Sequence, residues 1–263
     1  MTTSFTVDTN KQGIATITLS RPERHNAFDD EMILELTQAI KKLDNDSSVN
    51  FIVLAAAGKS FSAGADLNWM KKMASYDWHD NYYDSMQLAN LMKTLHHCQK
   101  ITIALVQGAA FGGGVGLVAC CDIALATQSA KFCLSEVKLG LIPAVISPYV
   151  LKAIGERNSR YYFATAEVFD ANKAEQMNLI HKVFADDSFT DDAKTFIGKM
   201  LTNSPKAVMA TKELIKLVNR QPINEKLMEQ TAKRIADIRA SDEGKEGVSA
   251  FLEKRKPDWI NKD

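Results

Sequence analysis

VQGAAFGGGVGLVACCDIALATQSAKFCLSEVKLGLIP, residues 106–143, holds the densest glycines of the chain, a short apolar helix-like run and a lone acid, Glu136, set among apolar neighbours. Three consecutive glycines, Gly112–Gly114, stand between the apolar strand-like run ITIALVQG (101–108) and the helical run that follows. Glycine lets the backbone approach a ligand closely, and the first amides of a helix lack acceptors of their own. The stretch therefore reads as a backbone-built site for a negatively charged oxygen, facing a single carboxylate.

Outward from this stretch the first half alternates strands and helices. Residues 5–19 read as a β-hairpin turning at Lys11–Gly13. A Pro-containing polar loop, SRPERHNAF (20–28), leads to a helix opened by Asp29 and Asp30, with Met32, Ile33, Leu36, Ala39, Ile40 and Leu43 at helical spacing. FIVLAAAG (51–58) is a buried parallel strand. The loop KSFSAGADLNWM (59–70) carries small residues at 62–65, and helices follow over 67–73 and 80–97. DIALAT (122–127) and AKFCLS (130–135) read as strands around a polar turn. A loop constrained by Pro143 and Pro148 leads into a helix over 149–154. From there the pattern is helical apart from one brief strand at 179–183. The expected class is α/β, with a core over 1–200 and a helical C-terminal region over 201–263, and with no internal repeat or low-complexity linker.

Composition narrows the function. Lys plus Arg and Asp plus Glu are both 32, so overall charge gives no argument for nucleic acid or an anionic membrane as partner. No apolar run reaches membrane-spanning length, since that at 117–126 is broken by Asp122. The N-terminal MTTSFTVDTNK has neither an apolar core nor an Arg-rich amphipathic stretch. The four cysteines, Cys98, Cys120, Cys121 and Cys133, show no metal-binding spacing and read as buried free thiols. A cytoplasmic protein is the expectation. His96 and His97 are neighbours on a helix and point to different faces, which argues against a metal. Gly114–Ala119 matches GxGxxA, but the long approach loop and the absence of the fingerprint from the first βα turn argue against a dinucleotide fold.

Five segments taken in order, LSRPERHNAF (19–28), FSAGADL (61–67), QGAAFGGGVGLVACCDIALA (107–126), FCLSEVKLGLIP (132–143) and AFLEKRKP (250–257), resemble the crotonase superfamily, also called the enoyl-CoA hydratase/isomerase family. The resemblance covers nearly the whole chain. It implies a crotonase-like spiral of repeated ββα units with a helical C-terminal trimerisation region, a homotrimer or hexamer, and an acyl-CoA thioester substrate with no separate cofactor or metal. It also implies an oxyanion hole from the amides of Ala65 and Gly113, next to Gly112, and a catalytic Glu136. Two preorganised amides suit the charge that gathers on a thioester oxygen as the α-carbon becomes enolate-like. A carboxyl in apolar surroundings holds its proton more tightly, which suits proton transfer. Arg24 and His25 resemble the CoA-holding loop, Ala27, Ala63, Asp66 and Leu67 the adenine pocket wall, and Phe251 and Lys254 the C-terminal residues that cover the nucleotide, often from a neighbouring subunit.

One position departs from the pattern. Typical hydratases of the family carry a further glutamate two positions after the glycine triplet, where this chain has Gly116. Hydration needs one group to activate water and one to protonate the α-carbon, so a lone Glu136 also fits an isomerase that shuttles a proton. FGGGVGLVACCDIA with GLIPAVISPYVLKAIGER (140–157) looks like the bacterial methylglutaconyl-CoA hydratase subgroup of leucine degradation, which implies hydration all the same.

Overall fold

Alternation of apolar residues in the first nineteen positions pairs β1 (Phe5–Thr9) with β2 (Ile14–Leu19) as an antiparallel hairpin, Phe5 opposite Leu19. A computed structural model of the protein describes residues 4–260. Ala15, Ile17 and Leu19 of β2 point into the core, while the intervening residues face the partly solvated side. After a 3-10 turn over Pro22–Arg24 comes α1 (Asp30–Asp44), whose N-terminus is capped by the Asp29 carboxylate accepting from the Met32 N–H. Then follow β3 (Phe51–Ala56), α2 (Leu67–Met73), α3 (Trp78–His97) and β4 (Ile101–Val106).

A three-residue strand, β5 (Ala109–Phe111), precedes α4 (Gly113–Cys120), followed by β6 (Ile123–Thr127) and β7 (Lys131–Cys133). A 3-10 turn over Glu136–Leu139 leads to α5 (Ser147–Thr165), β8 (Phe169–Asp170), α6 (Ala171–Gln176), β9 (Lys182–Phe184) and α7 (Phe189–Met200). The last helices are α8 (Pro205–Val218), α9 (Glu225–Ala240) and α10 (Asp242–Leu252).

Two sheets result. The larger runs in the order β1-β2-β3-β4-β6-β9 and is parallel from β2 onward. The smaller runs β5-β7-β8. Single bridges, Phe28 to Ala65 and Ser62 to Ala110, carry its direction back through the loops after β2 and β3. Each turn of chain thus places one strand in the main sheet and a short extended piece in the second layer, which is the spiral expected from the sequence. Phe28, Met32, Leu36, Leu54, Phe61, Leu91, Val115, Leu117 and Phe132 fill the space between sheet and helices. Phe189, Ala193 and Ile197 of α7 cover the opposite face of the sheet on Val53, Ile103 and Leu125.

The strands at 122–127 and 130–135 do not form one hairpin, because β6 lies in the main sheet and β7 in the second. Two strands, β5 and β8, are too short to leave any periodicity. α5 consists of two helices that meet across a kink at Gly155 (φ 76°, ψ 164°), the first of them the helix expected over 149–154. β7 ends at Cys133, short of the 135 expected, and Glu136 opens a 3-10 turn.

Candidate active site

Three loop segments run side by side at the site. Phe28 donates its N–H to the Gly64 carbonyl at 2.8 Å and accepts from the Asp66 N–H at 2.7 Å. Ser62 donates to the Ala109 carbonyl and accepts from Phe111, and the Gly112 N–H donates to the Cys133 carbonyl at 2.8 Å. In a parallel bridge of this kind, residues 64 and 66 use their polar groups toward Phe28, and the amide of the residue between them faces away. Among the described residues neither the Ala65 N–H nor the Gly113 N–H makes a hydrogen bond. Gly113 is the first residue of α4, where an amide has no acceptor within the helix. A Cβ built on Gly64 would stand 3.6 Å from the Phe111 carbonyl, so the loop that bears Ala65 runs close to the end of β5, just ahead of Gly113.

Glu136 meets this backbone at Gly112. A Cβ on Gly112 would come within 3.2 Å of Glu136 Oε1, and the φ of 51° and ψ of −118° at this residue suit only glycine. The carboxylate therefore rests on bare main chain at the start of α4. Its other oxygen, Oε2, is buried and has no hydrogen-bond partner. Burial pushes the Glu136 carboxyl above its ordinary range, and its own backbone N–H opposes this only in part. A carboxyl so placed gains and loses a proton more readily near neutral pH than one in water.

The other expected site residues fall into two groups. Arg24, His25, Ala27, Ala63, Asp66 and Leu67 are brought together on the two loops after β2 and β3. The Ala63 N–H donates to the His25 carbonyl, His25 Nδ1 lies 3.1 Å from Ser60 Oγ, and Arg24 Nη1 donates to Asp66 Oδ2 at 3.1 Å. Burial works to raise the Asp66 carboxyl, but the Asn68 and Trp69 amides and Arg24 hold it below its ordinary value. Asp66 thus caps α2 and orients Arg24 at once. Leu67 is exposed beside it. Phe251 and Lys254, also exposed, lie at the end of α10, which packs on α8 and α9. No hydrogen bond or ion pair joins them to these loops among the described residues.

Gly116 sits one turn along α4 from Gly112, its N–H donating to the Gly112 carbonyl. A Cβ there would stand 2.2 Å from Ile146 Cγ2 and 3.2 Å from Met92 Cε. The space beside Gly116 is thus occupied by apolar side chains from α3 and from the turn before α5.

Two important residues escape sequence reasoning. Asn26 is wholly buried with φ 53°. Its amide donates to the Ala57 and Ser60 carbonyls, and its Oδ1 accepts from the Arg21 N–H, so it ties the first loop to the second. Asn tolerates that backbone better than most residues, which is the only signal it leaves. Ile146 leaves none, because its partner lies thirty residues away. Trp69, Lys71 and Asn68 follow the second loop, and Trp69 turns inward to donate to Asp84 Oδ1. Asp122 accepts from the buried Lys212 ammonium at 2.5 Å and from the Thr102 amide and hydroxyl.

A spiral of this topology, with a buried carboxyl resting on Gly112 and two unused amides on neighbouring segments, is the crotonase fold. A family model described as enoyl-CoA hydratase/isomerase matches residues 9–262. The crystal structure of an enoyl-CoA hydratase from Shewanella pealeana is 47% identical, with TM-score 0.92, covering 98% of this chain and 96% of that one. A crotonyl-CoA hydratase of Syntrophomonas wolfei is 29% identical over 254 residues, 96% of each chain. A mitochondrial Delta(3,5)-Delta(2,4)-dienoyl-CoA isomerase of Dictyostelium discoideum is 31% identical, over 93% of this chain and 86% of its own. The chain belongs to the enoyl-CoA hydratase/isomerase family. No helix among the described residues is long and apolar enough to cross a membrane.

Proposed function

We propose that the protein hydrates a 2-enoyl-CoA thioester of the 3-methylglutaconyl type. The observation that carries the reading is the buried, unpartnered Oε2 of Glu136, whose carboxyl rests on Gly112 next to the unused Gly113 amide. In this reading the thioester oxygen lies between the amides of Ala65 and Gly113. The Glu136 carboxylate takes a proton from water, and the hydroxide adds to the β-carbon. The displaced electron pair moves through the α-carbon onto the thioester oxygen, where the amides hold it. When that charge returns, the α-carbon takes the same proton back from Glu136. One carboxyl thus serves twice, and its raised pKa suits both halves. Proton transfer and backbone donors supply all the chemistry, so CoA enters with the substrate and no separate cofactor is needed.

The reading places the CoA nucleotide against Arg24, His25, Ala27, Ala63, Asp66 and Leu67, with Phe251 and Lys254 supplied by a neighbouring subunit of a homotrimer or hexamer. The exposure of Phe251 and Lys254 and their position on the C-terminal helices support that arrangement.

A second reading is an enoyl-CoA double-bond isomerase in which Glu136 removes a proton and returns it further along the acyl chain. The apolar filling beside Gly116 favours it, because no second carboxylate shares the site there. Supplying 3-methylglutaconyl-CoA, crotonyl-CoA and a 3-enoyl-CoA separately decides between them. Hydration of the first with little conversion of the last is expected. Isomerisation of the 3-enoyl ester without hydration of either other ester would replace the first reading by the second.

A further inference from the structure

We infer that Ile146 is a positioning residue for Glu136: its side chain occupies the space opened by glycine at position 116, holds the carboxyl on the bare face of α4 and keeps water from reaching it along that face. The inference deepens the proposed function, since it takes Glu136 as the proton carrier and names what keeps it dry.

The geometry is that of the first turn of α4. Gly112 and Gly116 are four residues apart and joined by a main-chain hydrogen bond of 3.2 Å, so the two glycines stand one turn apart at the start of α4. The first space holds the Glu136 carboxylate, 3.2 Å from a Cβ on Gly112, and the second holds Ile146 Cγ2, 2.2 Å from a Cβ on Gly116. The acid and the branched side chain thus meet main chain one turn apart at the N-terminal end of α4. Ile146 is 2% exposed, Met92 closes the space from α3, and the start of α5 packs against the turn that bears Glu136. An alanine at 116 would collide with Ile146, so the glycine and the isoleucine are a matched pair.

No charged group offers an alternative cause. The residues of α4, GGVGLVAC, bring no charge to this face. From β7 the neighbouring titratable group is the Cys133 thiol, itself raised by burial. Lys138 lies on the turn of Glu136 and acts on Cys133, and on α3 and α5 His96 packs edge-on against Tyr149 near Lys152, with His96 held neutral by burial. Burial alone is what raises Glu136.

The test compares Ile146→Ala, Ile146→Val and Ile146→Thr in the intact protein. The Glu136 carboxyl is titrated by carbon NMR in the ligand-free enzyme, and the pH profile of kcat/KM is taken with the best ester found. Water admitted by alanine, or a hydroxyl supplied by threonine, is expected to lower the carboxyl pKa by roughly one unit. The rising limb of kcat/KM then moves to lower pH by the same amount, while valine restores the native value. A purely structural isoleucine would lower thermal stability and leave both readouts in place, and that result overturns the inference. Threonine has the shape of valine, so it carries the test where alanine does not fold. The NMR titration needs no substrate, so an enzyme inactive on every ester would defeat the proposed function and still leave this inference to stand or fall.

Discussion

Glu136 lies in an environment that favours its uncharged form, and this has opposite consequences for chemistry and stability. Glu136→Gln should lower kcat by about 10²–10⁴-fold, the usual contribution of a positioned acid–base group, with little change in binding of a CoA ester. Steady-state kinetics alongside calorimetric titration of an unreactive acyl-CoA thioether measures the two separately, and retained turnover would dismiss Glu136 as the proton carrier. The same variant reports on linkage. Burial raises the carboxyl pKa in the folded protein above its unfolded value. The group therefore favours folding below the unfolded pKa, and that advantage disappears as pH rises through the folded value. Glutamine has no charge to bury, so at pH 8 the variant should melt above the wild type, by about 2–4 °C per kcal/mol relieved. At pH 4 the difference should vanish. A melting difference of equal size at both pH values would mean that packing, not charge, sets the gap.

Two loops and one short helix hold the site, and each depends on a contact outside itself. Asn26→Ala removes two donated bonds and one accepted bond at a buried residue of positive φ. The loss should cost roughly 2–4 kcal/mol in chemical denaturation and raise KM for the CoA ester more than it lowers kcat, since Arg24 and His25 share that loop. At the start of α4, a Cβ on Gly113 would stand 2.8 Å from Phe28 Cε2. Gly113→Ala should therefore displace the helix start and lower kcat about 10–10³-fold, as a misaligned oxyanion donor does. Adding Phe28→Leu should recover part of that loss, and a double-mutant cycle with no coupling would place the damage elsewhere. The elements themselves divide by length in how legible they were. The hairpin, β3, α1 and α7–α10 declare themselves by periodicity or by capping residues such as Asp29. The motif loops and Glu136 stand out through glycine and through an acid among apolar neighbours. β5 and β8 are two or three residues long and are set by pairing with β7, which no local pattern encodes. Ile146 beside Gly116 is a tertiary contact of the same kind, as is the pairing of Asn26 with Ser60.

Across the whole molecule, the buried pairing of Lys212 with Asp122 ties the C-terminal helices to the core. Lys212 lies on α8 and is 7% exposed, with its ammonium on Asp122 Oδ2 at 2.5 Å and on the Lys100 carbonyl at 3.0 Å. Asp122 in turn holds the Thr102 amide and hydroxyl at the start of β4, so the pair joins α8 to the main sheet. A buried pair adds little over well-packed apolar residues, but removing one partner strands the other. Lys212→Met keeps the length of the side chain and leaves the Asp122 carboxylate without its cation. About 3 kcal/mol of destabilisation is expected, below the upper range for such pairs because Asp122 is partly exposed. The double variant with Asp122→Asn should recover much of it, since the stranded charge is gone. The loss should be regional. Apolar burial in the core over Ala15–Ile180 does not depend on this pair, whereas α9 and α10 reach the body largely by packing on α8. Hydrogen exchange should therefore quicken across 205–252 and hold steady in β2, β3 and α1. Uniform quickening over the whole chain would show that the C-terminal helices and the core open as a single unit, and that the pair stabilises both alike.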